Sequence, residues 1–401
     1  MTEDNTLGVL YFGNSWNAEN RTSSHHVARL LAEEMPLLYF DCPGMRMPSG
    51  NSRDLRRIWN TLRNGLSRPR RIGPNLWHCT LPQLPMRSVP GIGWLNRCFA
   101  MWAVRRARRL AGLKRSISWF VVPHTGFLAG NVGDDLAVYY CIDDYASHPG
   151  VDCLHIEQCD AALSRDADLV FVAPPSLVET KRALNPNTFY APHGVDFDHF
   201  ASAQSKAAAR PGTAPEMTGP VVGYIGSIHT WTDLDLIAWL AQQRLGWNFL
   251  LVGHAHVDTS HLKHLQNVHF VGPKPYEELP RWAGLFDAAI IPYRQTRQVS
   301  NANPLKLREY LASGLKVVST RNPESEKFGH LVQIADTPEA FLRGLDKALS
   351  TPASDGCDTR MAAVADQTWR FRVSNVLERV METLHNKRTS EQNMSQRGAT
   401  A

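Results

Sequence analysis

The sequence predicts an α/β protein of two doubly wound parallel sheets that face each other across a cleft. Three observations carry that expectation. Short apolar runs ending in glycine turns alternate with helical patterns, the strand, turn, helix, strand order of a parallel sheet. That order starts twice, at Leu7 and again at Val221. Between the two runs, residues 201–219 form a low-complexity Ala/Pro/Gly/Ser stretch in which a domain boundary is expected. With 401 residues, 43% of them apolar, the chain is long enough for two domains with cores of their own.

In the first half, residues 7–12 form an apolar run closed by Gly13-Asn14-Ser15. A helix is expected over about 24–34, where Val27, Leu30 and Leu31 stand at i, i+3, i+4, and 37–41 is the next strand. Residues 119–123, 136–141, 169–172 and 188–190 read as further buried strands. In the second half, 221–226, 249–253, 268–271, 288–292 and 316–319 repeat the pattern, with a helix over about 231–243. Helical patterns continue to about Leu384, and the polar stretch from Lys387 is expected to be disordered. The domains are therefore expected at 1–205 and 220–365, joined by a linker over 206–219 and followed by a helix over 366–386 and a tail over 387–401.

The net charge of +5 hides an asymmetry. Between positions 46 and 115 there are 16 Lys and Arg against one acid, Asp54, so this insertion carries +15 and the remainder −10. Such a block points to an anionic partner. Over 53–66, Leu55, Ile58, Trp59, Leu62 and Leu66 fall within about a 100° arc of a helix, with Arg53, Arg56, Arg57 and Arg63 outside it. A basic amphipathic helix with an interfacial tryptophan suits an anionic membrane surface. A second Arg-rich stretch, 94–115, sets Leu95, Phe99 and Trp102 beside Arg105, Arg106, Arg108 and Arg109, which could meet lipid headgroups or a lipid diphosphate. The alternative for both is a helix packed on the first core with a solvated arginine face. No nucleic-acid motif accompanies the charge, so a nucleic-acid partner is not expected.

The acidic, polar start and the lack of any run of about 18 apolar residues predict neither a signal peptide nor a membrane span. Seven cysteines, an odd number without C-x-x-C spacing, are expected to be the reduced thiols of a cytoplasmic protein. His254, His256, His261 and His264 crowd together, but Asp258 is the only nearby carboxylate and no ligand spacing is complete, so no metal site is expected.

Residues 301–320 carry the most chemistry: Asn-Ala-Asn-Pro-Leu-Lys-Leu-Arg-Glu-Tyr-Leu-Ala-Ser-Gly-Leu-Lys-Val-Val-Ser-Thr. Pro304 suits a first helical turn, where its missing N–H is one of the orphans anyway. Gly314 suits the helix end, and a strand follows. The amides near 303–306 would make an anion site to which Lys306 adds a point charge. Glu309 could accept two hydroxyl hydrogen bonds. The alternative is an ordinary helix with Lys306 and Glu309 solvated.

With this stretch the chain resembles the retaining GT-B glycosyltransferases, especially bacterial surface-polysaccharide enzymes with a Pro-Leu-Lys-x-x-Glu-Tyr-Leu-Ala-x-Gly-x-x-Val-Val pattern. Other landmarks stand in the family's order. Ala191-Pro192-His193-Gly194-Val195-Asp196 resembles a Pro-Asn-Gly-Val-Asp segment, with His193 in place of Asn. Val222-Gly223-Tyr224-Ile225-Gly226-Ser227 resembles the strand and glycine loop of the second domain. Phe270-Val271-Gly272-Pro273-Lys274-Pro275-Tyr276 resembles a base-side loop, and Tyr139-Tyr140-Cys141-Ile142-Asp143-Asp144-Tyr145 a Tyr-Asp-x-x-Asp-Asp run. The resemblance covers roughly 7–385.

It implies a hexosyltransferase that moves a sugar from a nucleotide-diphosphate donor to a glycan, such as one carried on a polyprenyl diphosphate, in cell-surface polysaccharide synthesis. It implies retention, no metal and no cofactor, and a cytoplasmic enzyme held peripherally on the inner face of the membrane. By residue, Glu309 would hold the ribose. Asn303, Pro304, Leu305 and Lys306, with Gly13, Gly226 and Ser227, would hold the diphosphate, and Lys274 would lie in the base-side loop. Asn301 stands where relatives carry an acid against the donor sugar. The Arg and Lys that many relatives place after the glycine loop are missing here, so the clamp is sought at Arg294, Arg297 or Lys306. His124 matches a cleft histidine, or else is a satisfied loop residue. Asp143 and Asp144 orient the acceptor, or else cap a helix. Trp16, Arg21 and His25 would form an acceptor rim. Two rivals share the fold: a sugar-nucleotide epimerase, and a non-catalytic nucleotide-sugar-binding subunit suggested by Asn301.

Overall fold

The computed structural model describes residues 6–18, 21–45, 65, 67–82, 91–204, 210–352 and 354–399. The chain divides into two compact units, one of residues 1–18, 22–192 and 373–401, the other of 19–21 and 193–372.

In the first unit β1 (Leu7–Gly13), α1 (Ser23–Glu34) and β2 (Leu37–Asp41) make the opening βαβ. They are followed by β3 (Arg70–Gly73), β4 (Leu76–Thr80), α2 (Ile92–Leu110), β5 (Arg115–Phe120) and β6 (Leu136–Cys141). Then come α3 (Cys153–Asp166), β7 (Leu169–Val172), α4 (Val178–Arg182) and β8 (Thr188–Tyr190). The sheet order is β3-β4-β2-β1-β5-β6-β7-β8, parallel except for the antiparallel β3–β4 pair. A parallel sheet covered on both faces needs apolar side chains on both, which is why β1, β6 and β7 are continuous apolar runs. Phe12, Phe40 and Phe120, buried on three neighbouring strands, stack with ring centroids 5.2 and 4.8 Å apart.

The second unit holds α5 (Phe197–Ala201), β9 (Val221–Ile225), α6 (Leu234–Gln243), β10 (Asn248–Val252), β11 (Val268–Gly272), α7 (Leu279–Ala283) and β12 (Ala288–Ile291). It continues with α8 (Arg297–Ser300), α9 (Leu305–Ala312), β13 (Val317–Thr320), α10 (Pro323–Glu326), β14 (Val332–Ala335), α11 (Pro338–Leu349) and α12 (Cys357–Ala362). Its all-parallel sheet runs β11-β10-β9-β12-β13-β14, the 3-2-1-4-5-6 order of a dinucleotide-binding sheet. In such a sheet, ligands bind beyond the carboxyl ends of the strands where the order reverses, here between β9 and β12. The corresponding reversal in the first unit lies between β1 and β5. The last helix, α13 (Trp369–Ala399), begins in the second unit and continues into the first.

Several expectations are corrected. The β3–β4 hairpin and β14 were not expected; Arg70 and Arg71 of β3 are exposed at a sheet edge and carry no apolar signal. β5 starts at Arg115 rather than 119, because Ser116 and Ser118 look like loop residues yet are fully buried. The units part at 192/193 rather than in the Ala/Pro/Gly/Ser stretch, because Phe200 of α5 is buried in the second core. The tail expected from Lys387 is helical to Ala399: no proline or glycine interrupts α13 before Gly398, and Lys387 donates to Asp168 at 2.8 Å. Arg53, Arg56, Arg57, Trp59 and Arg63 lie outside the described residues, as does 205–209 within the expected linker. None of the seven cysteines is in a disulfide. Among the described residues no helix is long and apolar enough to cross a membrane.

Candidate functional site

The second unit gathers its chemistry where β9 and β12 end. The loop after β9 opens with Gly226, whose φ is +138° and where an added Cβ would come within 2.7 Å of the Lys306 Nζ. Lys306, in the first turn of α9, is buried. Its ammonium lies 3.9 Å from the ring centroid of Tyr224 on β9 and 5.0 Å from that of Tyr293, which follows β12. Burial works against the charged form, but the hydroxyls of Tyr224, Tyr293 and Tyr310 outweigh it and the pKa of Lys306 is raised. Burial in turn pushes the Tyr293 hydroxyl up to about 12, with Lys306 opposing. The result is a fixed positive charge at the switch point.

α9 begins as its sequence dictates. Pro304 takes the N-cap position, one residue before the helix proper, and no side chain bonds the first turn. Amides of Leu305 and Lys306 are thus left at the positive end of a helix dipole, an arrangement suited to an anion. Behind them a buried polar network fixes the helix. The Arg308 guanidinium donates to the Asn303 Oδ1 at 3.0 Å, to the Gln367 Oε1 at 3.0 Å and to Glu324. Glu324 is fully buried and also accepts from Lys327 at 2.9 Å. Gly314, with φ +68°, closes the helix as expected. Glu309, half-buried on α9, has its carboxyl pushed up to about 7. Burial raises it most, Lys306 pulls it down and Asp196 adds to the rise. At neutral pH the group is divided between acid and carboxylate.

The other expected donor residues are placed differently. Arg294 is exposed and its charge is matched by Asp235 at 2.7 Å and Asp233 at 3.6 Å, which removes it as a clamp. The Lys274 ammonium sits 4.8 Å from the Trp282 ring centroid and donates to the Thr213 Oγ1 at 3.5 Å. The Asn303 side chain is engaged by Arg308 and so anchors the helix rather than facing a ligand. Half-buried Asn301 caps the end of α8, its N–H donating to the Arg297 carbonyl at 3.1 Å. The Ser227 carbonyl accepts from the Tyr224 hydroxyl at 2.8 Å, which shapes the glycine loop.

In the first unit most of the expected residues are engaged locally. Gly13 is required by packing: a Cβ there would lie 2.3 Å from the Tyr39 Oη. His25 forms a capping box with Thr22 at the start of α1. Its Nδ1 accepts from the Thr22 N–H at 3.0 Å, and its Nε2 donates to the Ser15 carbonyl at 3.1 Å. Burial lowers its pKa, partly offset by Ser15, so it stays neutral and its ring has no nitrogen left for an acceptor. Arg21 groups with the second unit, where it lies 4.1 Å from the Tyr276 ring centroid and pairs with Glu277 at 2.9 Å. Of the expected rim, Trp16 alone lines a cavity of about 470 Å³, with Arg29, Glu33, Ile72 and Pro74. Asp143 pairs with His148 at 2.9 Å and accepts the Asp144 N–H at 2.8 Å. Asp144, buried, precedes a short 3-10 turn without capping it through its side chain. His124 lies half-buried in the 3-10 turn that follows β5, at the first switch point.

Sequence reasoning missed the tyrosines around Lys306, the Arg308–Glu324 pair, and the fate of His193. The last is buried against Trp369, with ring centroids 5.7 Å apart; its pKa falls to about 3 through burial and then Arg308. The histidine-rich loops bring the His229 ring to 4.2 Å from that of Trp231 and the His254 ring to 4.4 Å from that of His256. Among the described residues no three metal-binding side chains converge.

Comparison with known proteins relates the chain to glycosyltransferases. Residues 219–351, which contain the glycine loop, Lys306 and Glu309, match the family model described as Glycosyl transferases group 1. A putative teichuronic acid biosynthesis glycosyltransferase, TuaH of Bacillus subtilis, is 32% identical over 165 residues, 39% of this chain and 41% of that protein. The match therefore spans about two fifths of that relative's length. Sucrose-phosphate synthase from Thermosynechococcus elongatus superposes with a TM-score of 0.68 at 12% identity, over 94% of this chain and 99% of its own. Anabaena HepE in complex with UDP and glucose superposes with a TM-score of 0.64 at 12% identity, over 93% and 99%. At these identities the likeness concerns the fold: two α/β domains with parallel sheets, the GT-B architecture.

Proposed function

We propose that this chain is a hexosyltransferase that moves a sugar from a nucleoside-diphosphate donor to a glycan acceptor, with retention at the transferred carbon. The uncapped start of α9, with Lys306 against the Gly226 loop and Glu309 one turn further along the same helix, carries this reading. In it, the Leu305 and Lys306 amides and the Lys306 ammonium take up the charge that develops on the departing diphosphate. That role is assigned to these groups rather than to a metal ion, with Pro304 leaving the helix end open and Ser227 beside the same phosphates. The Glu309 carboxylate accepts the two ribose hydroxyls, and Asn301 meets the donor sugar. The acceptor hydroxyl oxygen bonds to the anomeric carbon on the face from which the diphosphate leaves. The bond from that carbon to the phosphate oxygen breaks, and the hydroxyl proton passes to the departing diphosphate. His124 and Asp144 are the groups assigned to the acceptor side, with Trp16 lining its cavity.

The product in this reading is a cell-surface polysaccharide assembled on a lipid carrier such as polyprenyl diphosphate. The enzyme then works peripherally at the cytoplasmic face of the membrane. The name of the Bacillus relative supports the polysaccharide part. The test is calorimetric titration with nucleoside diphosphates, followed by nucleotide release from a panel of nucleotide sugars with and without lipid-linked acceptor. Acceptor-dependent release, and loss of nucleotide affinity in Glu309→Ala, are expected; unchanged affinity in that variant would remove the site. Asn301 in place of an acid favours one rival, a subunit that binds the nucleotide sugar without turnover. That rival predicts tight binding and no release under any acceptor.

A further inference from the structure

The outer face of α2 carries a surface that the donor chemistry leaves unused. The helix turns Asn96, Ala100, Ala103, Val104 and Ala107 inward, all buried. On the opposite side Trp94 is 71% exposed, Leu95 44% and Trp102 43%. At 3.6 residues per turn, Trp94, Leu95, Trp102, Arg105 and Arg109 fall within about 100° of arc. Phe99 stacks on Trp102 with centroids 5.8 Å apart and widens the apolar strip. The helix contains Arg97, Arg105, Arg106, Arg108 and Arg109 and no acidic residue. The hydrogen bonds of Arg105 and Arg109 run to the backbone carbonyls of Asn131, at 2.6 Å, and of Arg105, at 3.4 Å, and among the described residues no carboxylate balances their charge.

We infer that this face of α2 docks on an anionic lipid bilayer. The combination is what an interface of that kind selects. Indoles settle at headgroup depth, an aliphatic side chain enters the acyl boundary, and guanidiniums reach the lipid phosphates. A helix face turned only to water gains nothing from two exposed indoles, and one packed on protein would need acids to match its arginines. The inference deepens the membrane part of the preceding reading, but its observations are those of α2 alone.

The experiment is cosedimentation of the full-length chain, without donor, with vesicles of phosphatidylcholine plus phosphatidylglycerol and with phosphatidylcholine alone. Binding to the mixed vesicles only is expected. Arg105→Glu/Arg109→Glu should weaken it at least about 25-fold, at about fivefold per arginine near an anionic surface. Trp94→Ser/Trp102→Ser should weaken it comparably. No binding, equal binding to neutral vesicles, or unchanged binding in both variants overturns the inference. The milder Trp94→Phe/Trp102→Phe, read by loss of fluorescence quenching from brominated lipid, decides the matter if the serine variant does not fold. Nucleotide titration of the same variants should match the parent, so failure of the donor site and failure of this surface are told apart.

Discussion

Each sheet ends its leading strand in a glycine turn followed by a helix, yet the two turns differ in what surrounds them. After β1, Gly13 is packed under Tyr39, and the first turn of α1 is closed by the Thr22–His25 capping box. After β9, Gly226 lies over the Lys306 ammonium, and α9, which enters the same switch point, begins without a cap. Topology alone would make both ends candidate anion sites. Among the described residues only the second sets an uncapped first turn beside a buried cation, so the chemistry resides in the cap and the lysine rather than in the strand order. A capped helix end has answered its own donors; an uncapped one leaves them for a ligand.

Lys306→Met and Glu309→Ala should break the contrast most, each costing about 100-fold in nucleoside-diphosphate affinity by calorimetry, as hydrogen bonds to charged groups of ~1.5–3 kcal/mol imply. Gly226→Ala should follow with about a tenfold loss and a lower melting temperature, because its Cβ displaces the Lys306 ammonium at a positive φ. The pH dependence sharpens the contrast further. With its carboxyl near 7, Glu309 is mostly protonated at pH 6 and mostly ionised at pH 8, so nucleotide affinity should rise about tenfold between them. Without ligand the sign for stability is opposite: the folded pKa lies above the unfolded value, so stability falls as pH climbs from about 4.5 through about 7. His25→Ala is the control from the other turn. It should lower stability by about 1 kcal/mol in a thermal melt through loss of the cap, and leave nucleotide affinity unchanged.

Strands buried on both faces announced themselves as apolar runs, and both sheets were legible from them. β3 was not, and β5 only from Trp119 onward, because Arg70 at an edge and the buried Ser116 and Ser118 break that signal. The stretch 301–320 gave α9 to within a residue, since Pro304 and Gly314 act through local backbone rules. What encloses the site was hidden for the opposite reason. Tyr224 and Tyr293 reach Lys306 only through the folded sheet, and Arg308 meets Glu324 across a loop and a strand. Arg294 and His25 looked available because sequence lists side chains and not their partners; Asp235 claims the first and a capping box the second.

The course of α13 has a consequence for cutting the molecule apart. Because residues 373–401 group with the first unit, the second is nearly one uninterrupted stretch, 193–372, while the first is assembled from both ends of the chain. Expressed alone, 193–372 should therefore keep its sheet and its nucleotide affinity. A chain stopped at Arg372 would strip Val376, Val380 and Leu384 from their buried places and orphan the Asp168 partner of Lys387, so truncation at the carboxyl end should be felt in the amino-terminal half.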